Sequence, residues 1–350
     1  VPAMRPPSSF AFVRGLVCAA VLAAAPAAVH AQTFPNLTYA TVSGSPLRLD
    51  LYLPAGATTP TPVVLWVHGG GWCAGARAPL AAYASPLTSA GVAVAAVQYR
   101  LTSTTPDCAN AGGATWPAQV HDLKGAVRWL RANAATYQLD PTHIGVWGQS
   151  AGAHLALSLA LSPGDPELEG TVGGNATQSS AVRAVVAYFP PTDLLQLGPD
   201  FALAPTTRPD LVSVVDGPGQ PHARLIAYGG PGEGLGVIRA NAQNPSPPWP
   251  ELLARAQSAS PLTRVDPTDV PVYLLHGAAD VTVPVAQSRR LRDALVTAGI
   301  DHVYREVAGL GHIPPTDPAL DQAARYWLVA RLAAPPPDLV HADSFEAALP

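Results

Sequence analysis

From Leu47 to Leu53, leucines at every second position alternate with Arg48, Asp50 and Tyr52. That period of two predicts a strand with one buried face, and Tyr39 to Val42 offers it an antiparallel partner at a sheet edge. Next come Pro62–Val67, Val92–Val97, Ile144–Trp147, Val182–Tyr188 and Val270–Leu275, all short and almost continuously apolar. Such runs predict parallel strands covered on both faces. A further strand is expected near Val303–Val307. Between the strands the spacing becomes helical. Val120, Leu123, Val127 and Leu130 mark one face of a helix over Trp116–Asn133, with Pro117 in its first turn. Similar spacing predicts helices over Ser150–Leu161, Val285–Ala298 and Asp317–Leu332. Strands alternating with helices predict an α/β architecture, a mostly parallel central sheet with helices on both faces.

Two segments break the alternation. Pro190–Pro267 is rich in Pro and Gly, with helical spacing only over Glu251–Gln257, and reads as an insertion over the sheet ahead of the Val270–Leu275 strand. After Leu332, Pro335-Pro336-Pro337 opens a linker, and His341–Pro350 is a short acidic-aromatic tail for which disorder is the simple expectation. At the other end, Arg5 and Arg14 precede an apolar run, Gly15–Ala25, that is too short to span a bilayer. With small residues at Val29 and Ala31, residues 1–31 read as a signal peptide cleaved before Gln32, followed by the main domain over 32–333 and a tail over 334–350. The expected location is secreted or periplasmic, with no membrane attachment after cleavage.

Composition narrows the function classes. The 350 residues are 48% hydrophobic and 13% charged, which excludes a disordered chain, while 39 Pro and 30 Gly interrupt any membrane bundle. Net charge is −4 and Lys124 is the sole lysine, so the basic stripe that nucleic acid requires is missing. Past the leader, Cys73 and Cys108 remain, an even number in a chain bound for an oxidising compartment. Their loops, after the Pro62–Val67 and Val92–Val97 strands, are expected on the same carboxyl edge of the sheet, so a disulfide between them is the prediction and two free, partly buried thiols the alternative.

Four short signals carry chemistry. Gly148-Gln149-Ser150-Ala151-Gly152 follows a strand and opens a helix, the context that lifts a serine hydroxyl off the sheet and leaves the Ala151 N–H aimed where an oxyanion forms. His68-Gly69-Gly70-Gly71-Trp72 follows the Pro62–Val67 strand, and its Gly70 and Gly71 N–H groups are candidate oxyanion donors. No Lys-Ser/Thr follows, which rejects a phosphate loop. His68 is expected to hold this loop by hydrogen bonds and not to act in catalysis. Asp280 lies just past the Val270–Leu275 strand and His312 past the strand near Val303–Val307. The order Ser, Asp, His is then complete at the carboxyl ends of the strands, where open parallel sheets place their sites. Asp193, after the Val182–Tyr188 strand, is a rival for the acid. No paired His/Cys spacing points to zinc, and neither metal nor organic cofactor is expected.

These residues resemble the α/β-hydrolase superfamily, and the glycine loop places the chain with hormone-sensitive-lipase-like and feruloyl-esterase-like (BD-FAE type) carboxylesterases. The likeness runs from about Thr38 to Ala333. It extends to Tyr99-Arg100-Leu101, Pro117-Ala118-Gln119 with Asp122, Asp140-Pro141, Pro191-Thr192-Asp193-Leu194, Ser260-Pro261 and Val283-Pro284. The resemblance implies an α/β-hydrolase fold, with Ser150 as nucleophile, His312 as base, Asp280 as its orienting acid, and Gly70, Gly71 and Ala151 as oxyanion donors. It departs at Ala153, where many relatives have Gly. The implied activity is a serine carboxylesterase on short-chain or aryl soluble esters. Acetyl or feruloyl groups on plant polysaccharide are the alternative, and a serine peptidase of the same fold is a more distant one. Trp72, Phe201, Tyr228 and Trp249 are expected as pocket walls.

Overall fold

The computed structural model describes residues 32–333 apart from 58, 78–80, 106, 107, 109 and 204. The leader over 1–31 and the tail over 334–350 lie outside the described residues. Among the described residues eight strands form one sheet: β1 (Gln32–Val42), β2 (Ser45–Leu53), β3 (Thr61–Val67), β4 (Ala93–Val97), β5 (Leu139–Gln149), β6 (Val185–Tyr188), β7 (Val272–Gly277) and β8 (His302–Val307). Their spatial order is β1-β2-β4-β3-β5-β6-β7-β8. β1 with β2 and β2 with β4 are antiparallel, and every other neighbouring pair is parallel. The mostly parallel sheet agrees with the sequence pattern, and its arrangement is the α/β-hydrolase fold that the family resemblance implies.

The run of apolar residues in the central strands has a simple cause. Val63, Leu65 and Val67 of β3 face one core, with the helices Ala118–Ala132, Ala151–Ala160 and Ala286–Ala298 above it. Val64 and Trp66 face the other, beneath the helices Ala81–Ser89 and Pro318–Leu332. Alternate residues therefore enter two cores, and neither face of the strand meets water. On β2, Leu47, Leu49, Leu51 and Leu53 are all buried in the first core, as the period-two reading requires. A helix that the sequence reading did not assign, Ala81–Ser89, forms with Pro86 inside it.

The segment before β7 is more helical than its Pro and Gly content implies. Short helical turns occur at Leu194–Gln196, Pro199–Ala202, Pro209–Leu211, Val212–Val215, Pro221–Leu225, Leu235–Ala240 and Pro261–Arg264, beside the longer helix Trp249–Ser258. Pro199, Pro209, Pro221, Pro250 and Pro261 occupy first-turn positions. There the missing N–H has no partner to lose, so proline starts these turns and does not break them.

Candidate active site

Ser150 stands between β5 and the helix Ala151–Ala160 with φ 54° and ψ −126°, a left-handed backbone that costs energy unless the surroundings impose it. Its N–H donates to the Tyr188 carbonyl at the end of β6 at 2.9 Å, and its own carbonyl accepts from His154 N–H at 3.0 Å. Glycine at 152 is a steric requirement, since a Cβ there would lie 2.3 Å from the Val67 carbonyl oxygen. Ala153 is wholly buried, so the methyl group that departs from the family pattern is accommodated in the core.

The loops after β7 and β8 bring two more groups to this turn. His312 Nε2 lies 2.9 Å from Ser150 Oγ, and its Nδ1 lies 2.6 Å from Asp280 Oδ2. Asp280 is fully buried. Its Oδ1 accepts the N–H groups of Thr282 and Val283 at 2.8 and 2.9 Å, and His276 Nε2 lies 3.2 Å from Oδ2. Burial alone would raise the Asp280 carboxyl, but the hydrogen bonds from His276 and His312 outweigh it and hold the group well below the usual carboxylate range. Asp280 is thus an anion facing the imidazole. Asp193 is elsewhere, 3.9 Å from Arg290 Nε, with its own N–H donated to Gln287 Oε1.

The glycine loop closes the other side. Gly70 has φ 109°, and a Cβ on it would meet the Ala74 carbonyl oxygen at 2.3 Å. Among the described residues no group accepts from the N–H of Gly70, Gly71 or Ala151. His68 lies stacked on Tyr99 with ring centroids 4.3 Å apart, its Nδ1 2.8 Å from the Gly69 carbonyl oxygen. The Tyr99 hydroxyl donates to the His68 carbonyl at 3.0 Å. Cys73 and Cys108 form a disulfide that anchors the loop's far end. Arg100 grips the buried Asp122 carboxylate with Nε and a terminal nitrogen, joining the end of β4 to the helix Ala118–Ala132.

A cleft of about 360 Å³ opens over these groups, lined by Gly69–Gly71, Gln149, Ser150, Phe189, Thr282, His312 and Pro314. None of the four expected aromatic walls borders it. Trp72 and Phe201 are buried in the body of the protein, and Tyr228 and Trp249 pack edge to face on each other and against the main core. Trp72 and Phe201 are thereby removed from water, while Tyr228 and Trp249 are half-buried by packing away from the cleft. Phe189 fills the place, its ring centroid 4.5 Å from that of His312. Its backbone at φ 43° turns the chain after β6, a position that hydrophobic periodicity does not mark. Gln149 Nε2 is buried without a partner among the described residues. No group of three His, Cys, Asp or Glu among the described residues could hold a metal ion, and none of the described helices is long and apolar enough to cross a membrane.

Known proteins resemble this chain in sequence and in structure. The chain is 32% identical over 254 residues to Esterase LipQ of Mycobacterium tuberculosis, covering 72% of this chain and 50% of that protein. It is 27% identical to isoprenylcysteine alpha-carbonyl methylesterase ICME of Arabidopsis thaliana, over 72% of this chain and 51% of the relative. The chain therefore spans about half the length of these curated relatives. Among solved structures, a truncated carbohydrate esterase from gut microbiota superposes with a TM-score of 0.67 at 28% identity, covering 87% of this chain and 97% of that one. The BD-FAE family profile matches residues 49–214 and 248–295, a span that holds the glycine loop, Ser150 and Asp280, and the chain belongs to that family.

Proposed function

We propose that this protein is a serine hydrolase of carboxylic esters, with Ser150 as nucleophile, His312 as general base and Asp280 as the acid that orients it. The observation that carries the reading is the chain of contacts from Ser150 Oγ through His312 to the buried Asp280 carboxylate, at 2.9 and 2.6 Å. A serine hydroxyl is a weak nucleophile until a base takes its proton, and His312 Nε2 has a free lone pair only while Nδ1 holds the proton against Asp280. Attack on the ester carbonyl makes a tetrahedral oxyanion. The N–H groups of Gly70, Gly71 and Ala151 are its proposed donors, in line with their lack of other acceptors among the described residues. His312 then gives its proton to the departing alcohol, and water, activated by the same imidazole, releases the acid from the acyl-enzyme.

Short-chain or aryl esters in solution are the favoured substrates. The cleft is small and open, and among the described residues its apolar lining comes from Phe189 and Pro314. In the segment over 190–267, the longest helix, Trp249–Ser258, buries Leu252 and Ala256 against the body, an arrangement unlike a lid that offers an apolar face to an oil surface. A second reading, acetyl or feruloyl groups on polysaccharide, draws support from the likeness to the gut carbohydrate esterase. The leader read over 1–31 and the Cys73–Cys108 bridge both support export to an oxidising compartment.

A panel of esters varied separately in acyl length and alcohol, with Ser150→Ala as blank, tests the proposal. Each methylene buried adds about 0.8 kcal/mol until the cleft is full. The specificity constant should peak at short acyl chains, and a rate that keeps rising into long-chain emulsions contradicts the reading.

A further inference from the structure

Trp72 follows the Gly70–Gly71 pair and carries φ 59°, a left-handed backbone that a bulky residue rarely adopts. Such a conformation persists only where its surroundings fix it. The main chain is held on one side by the Thr102 N–H, which donates to the Trp72 carbonyl at 2.9 Å. The side chain is held on the other. Its indole Nε1–H donates to His154 Nδ1 at 3.1 Å, and the two rings meet edge to face with centroids 5.0 Å apart.

His154 lies one turn into the helix that Ser150 precedes, and it is fully buried. Its Nε2 sits 2.6 Å from the carbonyl oxygen of Ala259, just past the helix Trp249–Ser258. A carbonyl can only accept, so Nε2 carries the proton and Nδ1 keeps the lone pair that the indole requires. Burial pushes the imidazole down to about 4, so it stays neutral and able to accept wherever a neutral imidazole can serve as base. Trp116 covers the ring from another direction, with centroids 5.7 Å apart, and donates its own indole N–H to Ser258 Oγ at 2.9 Å.

The proposed oxyanion donors are divided between two elements: Gly70 and Gly71 on the loop after β3, Ala151 on the nucleophile helix. The Trp72–His154 hydrogen bond joins those two elements. We propose that His154 is a positioning residue, which acts through the Trp72 indole to set the glycine N–H groups at the spacing from Ala151 that a tetrahedral oxyanion requires. Its second bond, to Ala259, ties that spacing to the seating of the insertion. This inference rests on the triad reading above.

Donors aimed at the transition state affect turnover far more than binding of the ground-state ester. Trp72→Phe keeps an aromatic ring and removes the donor. His154→Asn retains an acceptor near the Nδ1 position, whereas His154→Gln places its amide near Nε2 and loses that acceptor. Expected for Trp72→Phe and His154→Gln is a fall in kcat of about 10- to 100-fold per active site, with KM within about threefold of the parent. Affinity for a trifluoromethyl ketone, whose adduct with serine places an oxyanion in the same site, should fall in proportion to kcat/KM. His154→Asn should recover most of kcat, and the double variant Trp72→Phe/His154→Gln should be no slower than the worse single one, because both remove one bond.

A purely structural role would lower thermal stability and the titrated fraction of active sites but leave kcat per site unchanged. Trp72→Phe with parental kcat per site, or His154→Asn no faster than His154→Gln, overturns the proposal. If the His154 variants do not fold, Trp72→Phe decides alone. Ser150→Ala assayed in parallel separates the two levels: an inactive Ser150→Ala beside a fully active Trp72→Phe sinks only the positioning role, whereas an active Ser150→Ala sinks the triad reading itself.

Discussion

Asp280→Asn changes one atom and keeps the volume, yet the hydrogen bonds around it allow no neutral outcome. Oδ1 accepts two backbone N–H groups, from Thr282 and Val283, while Oδ2 faces His312 Nδ1 and His276 Nε2. His276 Nε2 also lies 2.8 Å from the Val283 carbonyl oxygen, so that nitrogen carries a proton. An asparagine has one acceptor where the carboxylate has two. If its oxygen stays with the backbone, its NH₂ donates to His312 Nδ1, and the imidazole proton must move to Nε2, against Ser150 Oγ. A base with no lone pair cannot take the serine proton. The reverse orientation leaves two buried N–H donors facing an NH₂ group, at a cost of about 1–3 kcal/mol each. The first orientation wins, and the wrong tautomer should lower kcat by about 10⁴-fold, roughly 5 kcal/mol of transition-state stabilisation, with little change in KM. The assay is turnover of a soluble short-chain aryl ester, normalised to folded protein by near-ultraviolet circular dichroism. Asp193→Asn, beside Arg290, should turn over at nearly the parental rate. An Asp280→Asn enzyme within about tenfold of the parent would refute the argument, and loss confined to Asp193→Asn would transfer the acid role.

Two further outcomes follow from the same geometry. The Cys73–Cys108 bridge closes a separation of 35 residues, so Cys73→Ala/Cys108→Ala should lose about 4 kcal/mol and about 6 °C in Tm; an unchanged Tm contradicts this. Asp280, held below its ordinary value chiefly against burial by His276 and His312, contributes stability that is fully present above the unfolded carboxyl pKa and lost as pH falls towards the lower folded value. The gap in urea midpoint between the parent and Asp280→Asn should therefore narrow from about pH 5 to about pH 3, and a constant gap would show that no such linkage exists.

The sheet was readable in the chain because its central strands are covered twice. Val63 to Val67 have no solvent face, and a run without polar breaks is the signature of that burial. Ser150 was readable because its two glycines and the strand before it are required by one tight turn. The cleft wall was not. An aromatic side chain has the same identity whether it lines a cleft or fills a core, and Trp72 turned inward through a left-handed backbone that sequence does not display. Phe189 became the wall by standing one residue past β6. His154 stood beside the serine motif without any spacing that marked it, because its role depends on contacts with Trp72 and Ala259 across the fold; His276 went unmarked although the Asp280 carboxylate it meets is only four residues on. The prolines over 190–267 misled for a related reason: proline breaks a helix from within and starts one from its first turn, and only the position tells which.

The most direct test of the account is whether Ser150 itself carries the acyl group. An activated fluorophosphonate should label the folded protein once, on the Ser150 peptide, with ester turnover falling in step with labelling, and Ser150→Ala should neither label nor turn over ester while remaining folded. A folded Ser150→Ala protein that hydrolyses the same ester at a rate comparable to the parent would contradict it.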